Sequence, residues 1–286
     1  MQHAITIDAR PERILPHLNP AAFLGAIWRH RRVALAIAKR EIEARYRTHR
    51  LGLLWVVMQP LVLLAVYTFV FVVVFKTSLT QRADEPLGVY ALAVFSGILS
   101  FGIFRDMATR APTVIVSHRH LVTKMVFPLE ALALSELFIA LFNYGVGLAV
   151  FAVGYIACIQ SLPTWHALLV PVLLLPVCLA GLGVSWLLSS LGTFLRDLSS
   201  MIELVVTVLF MTTPIFYRIE RVPEPWHSIL LYNPLAHVVE GMRAVLLEGA
   251  LPDWPWFAGA LVASLCIAIL GYAFFMKSKR AFADVL

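Results

Sequence analysis

The sequence predicts an all-α integral membrane protein with six transmembrane helices, and three observations lead there. Of 286 residues, 60% are hydrophobic and 14% charged, with a mean hydropathy of +0.83, far more apolar surface than a soluble domain hides. The apolar residues form long continuous runs rather than alternating with polar ones. Continuous runs select helices over barrel strands, because in hydrocarbon every backbone N–H and C=O must be paired internally. The basic residues gather in alternate connections, as a chain crossing back and forth requires.

The first fifty residues form a cytoplasmic amino-terminal region, followed by the transmembrane domain over residues 51–286. Residues 19–50 are too charged to cross a bilayer, yet carry Phe23, Ile27, Trp28, Leu35, Ile37, Ile42 and Tyr46 among eight Lys and Arg. This mixture predicts an interfacial amphipathic helix lying flat on the membrane, its rings in the acyl boundary and Arg29, Arg31, Arg32, Lys39 and Arg40 at anionic head groups. The start of the chain lacks the short apolar core and small-residue site of a removable signal peptide.

Spans are predicted at 51–75, 87–104, 125–156, 166–191, 199–217 and 257–276, each near the ~20 residues that cross ~30 Å of hydrocarbon. With both termini inside, 18 of the 23 Lys and Arg fall on one side, so the positive-inside rule gives an N-in, C-in topology. The basic balance therefore reports orientation and gives no argument for nucleic acid. Between the second and third spans lies a long connection of mixed polar, basic and apolar residues. From residue 216 to 256, Pro223, Pro225, Pro234, Pro252 and Pro255 break the chain around apolar pieces too short to cross. Such pieces suit re-entrant helices in a gate segment, about 217–250, where protein or a water-filled cavity covers the broken backbone.

Glu130, Glu136, Glu203, Glu240 and Arg243 are the charges in or near apolar segments. They are expected to be tied to the cytoplasmic rim or to one another, since no acidic pair sits near mid-membrane to relay protons. Asp197, after Arg196 in the turn between the fourth and fifth spans, is expected to cap the following helix. Cys158, Cys178 and Cys266 have no C-x-x-C spacing and read as buried spectators. His118 and His120 would stand about 200° apart on a helix, so no metal site is expected there. A glycine-rich phosphate loop of the G-x-x-x-x-G-K-[ST] kind and a G-x-S-x-G elbow are both missing from the sequence. The aromatic residues Trp55, Tyr67, Phe69, Phe71, Phe75, Phe210, Phe216, Tyr217 and Trp226 suit two roles equally, a membrane-interface belt or a stacking surface for sugar rings.

Four pieces in order, KREIEARYRTHRLGLLWVVMQPLVLLAVYTFVF, LVTKMVFPLEALAL, FLRDLSSMIELVVTVLFMTTPIFY and VPEPWHSILLYNPLAHVVEGMRAVLLEG, resemble the permease subunit of type-2 ABC exporters for bacterial polysaccharides. That group serves O-antigen, capsule and wall teichoic acid, and the likeness runs from about residue 39 to the carboxyl end. The resemblance implies a homodimer in the bacterial inner membrane that recruits two copies of a separate ABC ATPase. No cofactor belongs to this chain; ATP and Mg belong to that partner. A lipid-linked polysaccharide would thread a channel between the two protomers. Trp55, Tyr67, Phe71, Phe216 and Tyr217 become lining candidates. Arg218, Arg221, Asn233, Pro234, Glu240 and Arg243 fall in the outer gate. Contact with the ATPase is implied for Arg40, Glu41, Arg45 and Arg47 and, in a cytoplasmic coupling helix within the second connection, for Arg110, His118, Arg119, His120 and Lys124. Arg196 and Asp197 match the structural turn. LGLLWVVMQP and VYTFVF are closer to O-antigen permeases, whereas outer cations at Arg218, Arg221 and Arg243 would suit an anionic capsule. A periplasmic export protein at the gate is compatible with the family plan. Export of drugs or lipids is an alternative within the same class, and a membrane-embedded transferase is one outside it, which would need a polar catalytic cluster at one interface.

Overall fold

The structure is a computed structural model that describes residues 18–48, 53–74, 87–120, 127–195 and 197–282, and among these residues it is helical throughout its ordered elements. The helices are α1 (Pro20–Thr48), α2 (Leu53–Thr68, extended by a π-helical stretch Phe69–Val74), α3 (Leu87–Ser117), α4 (Glu130–Ile159), α5 (Leu175–Phe194), α6 (Leu198–Thr212), α7 (Trp226–Leu231), α8 (Pro234–Arg243) and α9 (Trp254–Ser278). A 3-10 turn Trp165–Leu169 and a one-turn helix Val170–Leu173 lead into α5.

Among the described residues, four stretches are long and apolar enough to cross a membrane: Gly88–Ser117, Glu130–Ile159, Trp165–Phe194 and Trp254–Ser278, with Leu198–Thr212 a shorter apolar helix. The second element differs most from expectation. Its helix does not stop at residue 104 but runs on through Pro112 to Ser117. Charged residues end an apolar run without ending a helix, and 31 residues at 1.5 Å each reach about 46 Å, well past ~30 Å of hydrocarbon. The start of the connection is thus the protruding end of α3. The third helix begins at Glu130 after the non-helical 127–129 rather than at 125. The fifth ends at Thr212, where Thr213 turns extended (φ −74, ψ 137) ahead of Pro214, because a proline disfavours helical backbone in the residue before it.

The core is the junction of α3, α4, α5 and α9. Helices α5 and α9 meet backbone to backbone: a Cβ at Gly183 would lie 2.3 Å from the Ile267 carbonyl oxygen, and one at Gly271 2.0 Å from the Gly183 oxygen. Ala180, Ala268 and Ser264, all buried, flank the crossing. Lipid tails are as apolar as a leucine side chain, so close approach through small residues is how such helices gain packing energy.

The amino-terminal helix departs from a purely lipid-facing anchor. It lies along α4, burying Phe23, Ala34 and Ala38, and the Phe23 ring stands edge-on to Trp186 at 5.7 Å and to Tyr272 at 5.8 Å. Leu24, Trp28 and Leu35 face outward, with the Arg31 guanidinium 3.5 Å over the Trp28 ring. One apolar stripe of α1 therefore grips protein and the other remains for its surroundings. The cysteines also differ from expectation: Cys158 and Cys266 are exposed on the protomer and Cys178 is half-buried. An apolar segment in a membrane protein can face lipid, so its hydrophobicity does not place a thiol inside.

Candidate functional site: the two ends of the bundle and the face of α6

At the end opposite α1, the chain leaves α6 and is held by a polar lattice. Arg243, 2% exposed, donates from Nη2 to the carbonyl oxygens of Pro214 at 3.1 Å and Ile215 at 3.2 Å, and from Nη1 to Glu240 Oε1 at 3.0 Å. The Phe216 carbonyl accepts from the Tyr90 hydroxyl at 3.2 Å. Asn233 caps α8, accepting from the Leu235 N–H at 3.0 Å, and its amide donates to Thr213 Oγ1 at 3.3 Å. Pro234 follows at the first helical position, where the missing N–H removes no helical bond. The Tyr217 hydroxyl donates to the Thr212 carbonyl at 2.6 Å, and Arg218 pairs with Glu248. Side chains thus supply the partners that the broken backbone lacks, the condition for irregular chain at membrane depth. Between residues 217 and 250 the helices Trp226–Leu231 and Pro234–Arg243 are short, neither long enough to cross.

At the α1 end, charges are joined in sets. Glu130 receives Lys279 at 2.7 Å and His30 at 3.2 Å, tying α1, the start of α4 and the end of α9. Arg110 meets Glu136 at 3.4 Å. Asp106 accepts from Arg105 and from Asn143 Nδ2, each at 3.1 Å. His118 faces Glu41 at 3.4 Å. The expectation that intramembrane charges are tied near a rim or to one another thus describes Glu130, Glu136, Glu240 and Arg243.

The coupling candidates divide. Arg40, Arg119 and His120 are exposed, whereas Glu41, Arg45, Arg110 and His118 are half-buried. Arg110 and His118 turn toward protein carboxylates rather than outward. Arg47 lies in α1 with its side chain outside the described residues, as do the whole of Lys124 and Arg196. Asp197 takes the N-cap place of α6 but makes no side-chain cap bond, and its backbone is helical (φ −82, ψ −2). A cap needs extended backbone to swing the carboxylate back over the first N–H groups, so the capping role is corrected.

The lining candidates also separate. Trp55, Tyr67 and Phe71 fall in α2 and its π-helical extension, with side chains outside the described residues. Tyr217 is half-buried, while Phe216 is 4% exposed with Phe210 standing edge-on at 5.5 Å. The Phe216 ring therefore belongs to the packing and offers no open face for stacking.

One feature escaped the sequence reading. Helix α6 packs through a narrow stripe in which Leu198 and Val206 are buried. Beside it run Ser200, Glu203 and Thr207, all exposed and, at 100° per residue, within about 60° of one another. Next comes an exposed apolar sector of Met201, Leu204, Val205, Val208 and Met211. The spacing of Ser200, Glu203 and Thr207 was visible beforehand, but which side of α6 packs was not.

A family model described as ABC-2 type transporter matches residues 32–247. The chain is 25% identical over 253 residues to the O-antigen export system permease protein RfbA of Klebsiella pneumoniae, covering 88% of this chain and 94% of that protein. It is 26% identical over 260 residues to the protein of the same name in Myxococcus xanthus, covering 90% and 96%. Against the polysialic acid transport protein KpsM of Escherichia coli the identity is 20% over 259 residues, covering 86% and 93%.

Proposed function

Because the chain belongs to the ABC-2 type transporter family, we propose that it is the transmembrane subunit of an ATP-driven exporter that moves a lipid-linked, O-antigen-like polysaccharide across the bacterial inner membrane. The observation that carries this reading is likeness along nearly the whole chain to relatives from two genera that are themselves named O-antigen export permeases. The chain is the conduit and not the motor. ATP and Mg are handled by two copies of a separate ATPase that bear on the α1 end.

Two copies of the chain enclose the path. On α6, Ser200, Glu203 and Thr207 face water and polymer, since a carboxylate turned to lipid costs a few kcal/mol, while Met201, Leu204, Val205 and Val208 meet the second copy or lipid. Trp55, Tyr67, Phe71 and Tyr217 remain the stacking candidates. The argument for an anionic capsule polymer is weakened, because two of its three outer cations are paired within the chain, Arg218 with Glu248 and Arg243 with Glu240.

Depleting the chain from a cell that makes such a polymer, then complementing it, tests the reading. Depletion is expected to strip polymer from the surface and accumulate it on its lipid inside. Trp55→Ala or Tyr217→Ala should restore export at a rate reduced on the order of fivefold, the factor for about 1 kcal/mol of ring contact, with ATPase assembly intact. Normal surface polymer after depletion contradicts the function; full rates in both variants remove the two rings from the wall.

A further inference from the structure

We propose that His118 and Glu41 form a charged clip that fastens the amino-terminal helix to the protruding end of α3, so that the two elements receive the motor's stroke as one lever. The proposal rests on the reading that a separate ATPase drives the chain. It adds a connection that the separate placement of these two residues in the sequence does not suggest.

Geometry selects the charged form. His118 Nδ1 lies 2.9 Å from the Val114 carbonyl oxygen, and Nε2 lies 3.4 Å from Glu41 Oε1. Both ring nitrogens face acceptors. A neutral imidazole carries one N–H and satisfies one of them, whereas the imidazolium donates to both. The pair is half-shielded, with side-chain exposures of 23% for His118 and 28% for Glu41, so solvent weakens it without abolishing it.

The surroundings hold both signs. Arg110 on α3 and Arg45 on α1 bear on Glu41, Glu136 on α4 bears on His118, and the His120 ring lies 6.2 Å from that of His118. The hydrogen bond from His118 is the largest influence on Glu41 and holds its carboxyl below the usual range against the opposing effect of burial. The hydrogen bond to Glu41 likewise raises His118 above its ordinary value of 6.5. A raised imidazole contributes fully below its unperturbed value and loses its effect as pH climbs through the raised one. A lowered carboxyl contributes until pH falls through its lowered value. The clip is therefore closed below the imidazole's ordinary value of 6.5 and opens as pH climbs through the raised one.

His118 is on this account a positioning residue, and its signature is a pH profile of coupling. The chain reconstituted with its ATPase should be measured for polymer moved per ATP hydrolysed between about pH 6 and about pH 9, the range in which a perturbed imidazole titrates. The wild-type ratio is expected to fall about fivefold toward the alkaline end, the scale of one charge-assisted hydrogen bond at a half-exposed site. His118→Gln and Glu41→Gln should each show the low ratio already at neutral pH, with the double variant no lower than either. His118→Arg, which keeps the charge and both donors, should restore the ratio and flatten the profile. A flat wild-type profile, additive losses in the double variant, or an alkaline fall that persists in His118→Arg overturns the clip. If the wild type shows no linkage to ATP at any pH, the exporter reading itself falls and takes the clip's role with it. A linked wild type with unaltered variants sinks the clip alone.

Discussion

Replacing Arg243 with methionine is expected to abolish export and to cost about 3–5 kcal/mol of stability, the usual penalty for stripping one partner from a buried ion pair. The guanidinium is 2% exposed and does three things at once: it neutralises Glu240 and serves the carbonyl oxygens of Pro214 and Ile215. Methionine fills similar volume, so lost packing is not the reason. The variant leaves a carboxylate and two carbonyls with no donor where water is scarce. The loss should fall on the gate segment while assembly with the ATPase survives, because the α1 end is held by its own ion pairs at Glu130 and Glu136. Arg243→Met combined with Glu240→Gln should recover part of the stability, since it removes the orphaned charge, but not export, since the two carbonyls stay unserved. Melting midpoints in detergent with surface-polymer assays check both halves. A fully active Arg243→Met would mean that the lattice is not what holds the gate.

The second large effect is expected at the crossing of α5 and α9. Gly271→Val should cost about 3 kcal/mol or more, at or above the upper end for overpacking, because the first added carbon would meet the Gly183 carbonyl oxygen at 2.0 Å. That obstacle is backbone, so no rotamer change relieves it and the two helices must separate. Gly183→Val meets the Ile267 oxygen at 2.3 Å and should behave alike. Gly145→Ala in α4 is the control, with nothing within 4 Å of its added carbon; there the gain in helix propensity of about 0.5–1 kcal/mol should leave stability level or slightly raised. Equal melting midpoints for Gly271→Val and Gly145→Ala would contradict the close crossing.

Much of this architecture is written in hydrophobic runs, and the parts that were not legible share a cause. Run length and composition locate helices that can cross, but they do not say where a helix stops. Arg105, Asp106 and Arg110 ended the apolar run of α3, although its backbone hydrogen bonds continue to Ser117. Amphipathicity locates α1, yet the pattern is blind to whether an apolar stripe meets lipid or protein, so the packing of Phe23 against Trp186 and Tyr272 is not readable from it. The same blindness puts the cysteines inside, while Phe216 is placed on a channel wall by the resemblance, which speaks of elements and not of which way one ring faces. Glu240 and Arg243, three apart on one helix, could be paired from spacing alone. The carbonyls of Pro214 and Ile215, nearly thirty residues away, could not. Aspartate type and position pointed to a cap at Asp197, but the backbone angles that decide the matter belong to the turn's tertiary setting.

The central claim is that this chain is a conduit for a lipid-linked glycan and that its driving force arrives from another subunit. It is tested most directly in sealed vesicles containing the purified chain, with and without its ATPase, loaded with lipid-linked polymer on the ATPase side. The account predicts ATP-dependent appearance of polymer across the membrane only when both chains are present, and none from either alone. Vectorial movement by the chain without the ATPase, or no movement with both, would contradict it.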